Sequence, residues 1–173
     1  MTYNRSKFFP IIVTVLIIII IIYLFANLEQ SNVKCSKRTT DSFNITVVEE
    51  LNATLDGRKI NELKLRKTII LPEKYAKDKY LDSVEYTLKK SYAYLGKDKV
   101  SISKLSDRII VDIVVNKNET LILNNISFDT SNDLTININS NTKSSDVVTL
   151  KVNDNYTQGE FITHLKNNGY SCG

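Results

Sequence analysis

Histidine occurs once in this 173-residue chain, cysteine and proline twice each and glycine five times, and each scarcity removes a class of chemistry. The lone imidazole, His164, has no second histidine or nearby cysteine to join it in a metal site or a nucleophile relay. Its place beside Leu165 suits a solvent-facing helix residue. The two cysteines, Cys35 and Cys172, lack Cys-x-x-Cys spacing, which leaves metal binding and redox catalysis without support. Gly57, Gly96 and Gly169 stand where turns and caps need them, so no Gly-rich phosphate loop remains. Carboxylate neighbours such as Glu49 and Glu50 point to opposite faces of a strand and cannot serve one substrate. The expectation is a protein that is not an enzyme, with no catalytic, cofactor-binding or metal site.

A large surplus of one charge is also missing. Lys and Arg number 23 against 19 Asp and Glu; setting aside Arg5 and Lys7 at the N-terminus leaves 21 against 19, a net of +2. A nucleic-acid binder would show a strongly basic face, so nucleic acid is not expected as a partner. Lys89, Lys90, Lys97 and Lys99 lie close together and read as a solvated helix end, with a membrane-facing patch as the alternative. Lys outnumbers Arg by 18 to 5, which with abundant Ile and Asn suggests an A/T-rich genome. Asn4, Asn44, Asn52, Asn118, Asn125 and Asn155 each head an Asn-x-Ser/Thr triplet, a mild excess over chance in so Asn-rich a chain.

What the chain does have is an apolar run. Residues 8–26 are nineteen positions without a charge, and a helix of that length would rise about 28 Å against a hydrocarbon core of about 30 Å. A secretory signal has an apolar stretch of about 7 to 15 residues and a small-x-small cleavage site; here Leu24 stands two positions before Ala26. A lipoprotein signal needs a small residue before its cysteine, and Lys34 precedes Cys35. The run therefore predicts an uncleaved signal anchor, a single-pass transmembrane helix over 8–26 with the lipid bilayer as partner. Residues 1–7 form a cytoplasmic tail, 27–42 a linker and 43–173 an extracytoplasmic domain. The flanking charges are nearly tied, and the orientation follows from the tendency of short basic tails to stay inside. In an oxidising compartment Cys35 and Cys172 invite a disulfide; two free thiols are the alternative.

Within the domain, Phe43, Ile45, Val47, Leu51, Ala53 and Leu55 alternate with polar residues, as in a half-buried strand. Asp56-Gly57 supplies a turn, after which Leu63, Leu65, Ile69 and Leu71 resume odd spacing. A three-residue loop at Leu55, Asp56 and Gly57 pairs odd with odd and sets Val47 opposite Leu65. Pro72 and Glu73 open a long helix whose stripe is Leu81, Val84, Leu88, Tyr92 and Leu95, ended by Gly96. Tyr75, Tyr80, Tyr86 and Tyr94 flank that stripe as amphipathic edge residues. Val100–Leu105 and Arg108–Val115 read as a hairpin, the second strand being apolar on both faces and so central. Leu121–Leu123, Leu134–Ile138 and Val147–Val152 read as further strands, with a short helix as the alternative for the first. Thr157 and Glu160 form a capping box with Tyr156 and Phe161 at the staple positions, opening a short helix that buries Phe161, Ile162 and Leu165 and ends at Gly169.

The order after Cys35 is a polar stretch, a strand hairpin (Phe43 to Leu71), a long helix (Glu73 to Leu95) and a closing helix from Thr157 into Asn168-Gly169-Tyr170. This resembles the YehR-like family of small bacterial surface lipoproteins, whose function is not established. The resemblance implies an α+β fold and a surface location, without the lipid-acceptor role for Cys35. The expected whole is an N-terminal transmembrane helix followed by one α+β domain, an antiparallel sheet with a long central helix and a short C-terminal one. It would be a non-enzymatic binding or interaction domain of the cell envelope whose partner is an envelope protein or ligand. The alternatives are a small-ligand- or peptide-binding protein using the groove between helix and sheet, and an envelope hydrolase.

Overall fold

The computed structural model describes residues 13–21, 32–57, 59–123, 126–129, 134–138, 148–152 and 157–173. Helix α1 occupies residues 13–21, all of them exposed. Nine residues rise about 14 Å, half of a bilayer core, and no helix among the described residues is long and apolar enough to cross a membrane. This corrects the expected single-pass anchor and the bilayer contact through it. Residues 1–12 and 22–31, including the tail and both ends of the expected span, lie outside the described residues. The α+β expectation is corrected with it: the described chain is mostly antiparallel sheet with three short helices.

The main sheet has six antiparallel strands in the order β10-β1-β2-β3-β5-β4, namely Ser171–Cys172, Asn32–Thr40, Thr46–Asp56, Lys59–Ile70, Arg108–Asn116 and Val100–Lys104. Most of the polar stretch expected as a linker is thus β1, because a strand whose outward residues are all polar shows little periodicity. Its inward positions are Val33 and Cys35, 3% and 2% exposed. The β1–β2 turn is closed by Asp41, whose carboxylate accepts the N–H groups of Phe43 and Ile45, both at 2.9 Å.

Odd positions of β1, β2 and β5, and of β3 from Leu63 onward, face the core, as their alternation requires, while Ile60 takes the inward place before the register shift. The parity of the β2–β3 hairpin is as expected, but its register is not: Val47 stands opposite Ile69, and Leu65 opposite Leu51. The turn is tighter than expected, with Asp56 opposite Lys59, and a register shift beside Thr54 and Leu55 restores odd-with-odd pairing. Gly57 has φ 61°, the left-handed geometry such a turn demands.

Helix α2 (Asp78–Ser91) is shorter than predicted. Pro72 opens only a 3-10 turn, Glu73–Tyr75, and a second one, Ala93–Leu95, follows the helix before Gly96 at φ 88°. Leu81, Val84 and Leu88 are buried, and α2 packs on β4 and β5. Strands β6 (Thr120–Leu123) and β9 (Val148–Lys151) pair, as do β7 (Ile126–Asp129) and β8 (Thr135–Ile138). Strand β7 carried too little apolar alternation to be foreseen. The β7–β8 pair meets α2 through β8, and Leu134 and Ile136 join the core. The Tyr94 hydroxyl accepts the Ile122 N–H at 3.1 Å. Helix α3 (Gln158–Asn167) carries the expected capping box, with Phe161 and Leu165 buried; Tyr156, the expected staple partner, lies outside the described residues.

Candidate functional site

Because the core side of β1, β2, β3 and β5 takes mainly odd positions, the even positions make a second, more polar face. Strand register lines up Ser171, Ser36, Glu50, Arg66, Asp112 and Ser101 across all six strands. Arg66 grips Asp112 with two hydrogen bonds, Nε to Oδ1 at 2.7 Å and a terminal nitrogen to Oδ2 at 3.1 Å. The carboxylate raises the guanidinium pKa. The adjoining row is Lys34, Asn52, Lys64 and Val114, with Lys64 held 3.1 Å from Glu62. The two rows, Ser101 apart, line a shallow depression of about 850 Å³ on this open face. Its side chains offer hydrogen-bond donors and both signs of charge, and none is aromatic.

Beneath that face lies a feature that alternation alone did not reveal. Lys67 sits at an odd position of β3 and is 0% exposed. Its Nζ is 2.6 Å from Glu49 Oε1, directly across the β2–β3 pair. The Tyr170 hydroxyl donates to Glu49 Oε2 at 2.5 Å. The Tyr92 phenol is buried beside Lys67, and the Lys37 ammonium lies 5.5 Å from the Tyr170 ring centre. Burial works against a charge on Glu49, but the Lys67 ammonium and hydrogen bonds from Lys67 and Tyr170 outweigh it and hold its pKa below the usual value. Burial likewise opposes the Lys67 charge, and Tyr92 and Glu49 reverse the effect, raising its pKa. For Tyr170, burial and then the Glu49 carboxylate push the phenol up. Such a group of tightly bonded charges is built to hold elements together. It ties β2 and β3 to the end of α2 and to the segment after α3. A lysine in phase with Leu65 and Ile69 was the sequence signal for it.

Cys35 and Cys172 form a disulfide. They face each other across β1 and β10, so the expected bridge sits inside the sheet. Glu49 and Glu50 fall on opposite faces as expected, one in the charged core cluster and one on the open face. His164 is half-buried on α3 rather than fully solvent-facing, and its carbonyl accepts from the Asn168 amide at 2.8 Å. Of the sequons, Asn44 and Asn118 are exposed at positive φ, 64° and 71°. Asn52 lies on the open sheet face, while Asn4, Asn125 and Asn155 lie outside the described residues. Among the described residues no group of three or more His, Cys, Asp or Glu is placed to hold a metal ion. No family model, curated protein or solved structure matches the chain, and the resemblance to the YehR-like family rests on element order alone.

Proposed function

We propose that the sheet domain is a non-enzymatic binding module of an extracytoplasmic compartment, engaging an envelope protein or ligand through the open face of its six-stranded sheet. The observation that carries this reading is the division of labour within the sheet. The odd face holds the apolar core, while the even face carries an uninterrupted polar row across every strand, over a depression of about 850 Å³. Backbone pairing fixes the spacing of that row, which is the preorganisation a recognition surface needs. The compartment follows from the disulfide, since bridges of this kind persist where thiols are oxidised. The apolar run at 8–26 then acts as the export signal. A ligand groove between helix and sheet is less well supported, because Leu81, Val84, Leu88 and Tyr92 fill that side of the core at 0–2% exposure.

The test places a photo-crosslinking amino acid at Ser36 or Lys64 on the open face, and at Thr163 on α3 as control, in the full chain expressed in cells that export it. Discrete adducts from the first two positions and none from the third are expected. Equal labelling from all three, or none, would remove the reading. Residues 1–34 fused to a reporter that is active only after export should yield activity.

A further inference from the structure

The outer surface of α2 carries an aromatic residue that the fold does not use. At about 100° per residue, Lys79, Tyr86 and Lys90 fall along one line, opposite the buried Leu81, Val84 and Leu88. Tyr86 is 71% exposed, the most exposed large hydrophobic residue among those described. Lys90 is exposed beside it, and the Lys79 ammonium lies 4.4 Å from the Tyr80 ring centre. Carboxylates of the helix turn toward other lysines. Asp78 and Asp82 reach across to Lys104, at 3.5 and 2.6 Å, and Glu85 holds Lys89 at 2.6 Å. The approach to the helix carries Glu73 with Lys74 and Lys77, all exposed.

A tyrosine set between lysines matches the boundary of an anionic bilayer. There the ring lies at headgroup depth, while the ammonium groups meet phosphate. We propose that the outer line of α2 docks the domain on the headgroup layer of anionic phospholipid, as a peripheral contact made by Tyr86, Lys79 and Lys90. The match is one of charge and of a ring placed at the outermost line. It also has a geometric consequence, because α2 covers the core face of the sheet. A domain resting on α2 turns its open face away from the lipid, toward whatever approaches from outside.

The chain contains no tryptophan, so Tyr86→Trp in the full-length protein is a single-site reporter at a largely exposed position. Vesicles of phosphatidylcholine with about 30% phosphatidylglycerol should shift its emission to the blue. Brominated lipid should quench it, and 0.5 M salt should reverse both effects. Lys79→Gln with Lys90→Gln should weaken binding by about twenty-five-fold, taking each lysine as worth roughly fivefold near a charged surface. An equal shift on pure phosphatidylcholine, no shift on anionic vesicles, or unchanged binding by the double variant would each overturn the proposal. An equal response to soluble polyphosphate would assign the face to an acidic polymer instead, and overturn it too.

Discussion

Removing the charge of Glu49 tests how the core holds the buried Lys67–Glu49 ion pair. The Lys67 side chain is 0% exposed and that of Glu49 12%, at 2.6 Å separation. Glu49→Gln leaves an ammonium in the core without its counter-ion, and Lys67→Met strands the carboxylate. Breaking one side of a buried pair costs about 3–5 kcal/mol, a large part of the roughly 5–15 kcal/mol by which a domain is stable. With a urea slope of about 2 kcal/mol per molar, the midpoint should fall by about 1.5–2.5 M, read by far-UV circular dichroism on the oxidised protein. Replacing both partners with apolar side chains of similar size, Glu49→Leu with Lys67→Met, removes two desolvation penalties together and should recover the pair's own cost, leaving about 1.5–3 kcal/mol for the Tyr170 hydroxyl that has lost its acceptor. Single losses under about 1 kcal/mol would refute the reasoning. So would a double variant whose loss is simply the sum of the two, for then the charges would not be stabilising each other.

The same pair sets a pH dependence. Glu49 titrates below its unfolded value of 4.5 in the folded state, so its contribution is full above that pH and is lost as pH falls through the lower folded value. Lys67 titrates above its unfolded 10.5, so its share is full below that pH and lost as pH rises through the higher folded value. The urea midpoint of the wild type minus that of the apolar double variant should therefore be flat from about pH 5 to 10 and fall on either side; a difference that grows on acidification would contradict the assignment. Tyr170→Phe deletes a donor to a charged acceptor and should cost about 1.5–3 kcal/mol by urea titration. Cys35→Ser with Cys172→Ser opens a loop spanning 137 residues, worth about 5 kcal/mol on the chain-entropy model. Intact mass should rise by two hydrogens when the wild-type protein is reduced, and an unchanged mass would show free thiols. Gly169 has φ 83°, and a methyl group added there would meet only the Lys37 side chain, with Cε 3.7 Å away. Gly169→Ala should therefore lose about 1–2 kcal/mol from backbone strain rather than crowding, again by urea titration.

Period-two alternation made β2, β3 and the β4–β5 hairpin legible, and the face each residue takes followed from parity. The capping box of α3 was equally plain, because Thr157 and Glu160 make a local bond that needs no distant partner. The disulfide was legible only as a pairing of the two available cysteines; that it joins neighbouring strands depends on the chain folding β10 back onto β1. Where partners lie far apart, local pattern failed. The strand β1 has two inward apolar residues and so read as linker, and the helix predicted from Pro72 loses its first turns to a 3-10 turn. The open face was invisible as a site, since each of its residues is an ordinary polar strand position until register aligns six of them.

The hairpin register shows what the misplaced reading lacked. Turn chemistry at Asp56-Gly57 set Val47 opposite Leu65, a pairing that keeps the odd apolar residues on the core side. Carried along the strands, that register puts Lys67 opposite Ile45 and Glu49 opposite Leu63, so that two charges enter the core apart. Each would lose its water without gaining a partner, at a cost of several kcal/mol, more than one turn type can return over another. The observed register shifts the strands by four residues, keeps the same faces, and brings Lys67 against Glu49. Apolar parity alone accepts either alignment, because a shift of four leaves every side chain on its own face. The ion pair separates them. A buried pair that adds little net stability over apolar substitutes thereby specifies which of two otherwise equivalent hairpins forms. The Glu49→Leu, Lys67→Met protein, stable but freed of that constraint, should show a second set of cross-strand amide contacts by NMR, and a single native set would place the register's origin elsewhere.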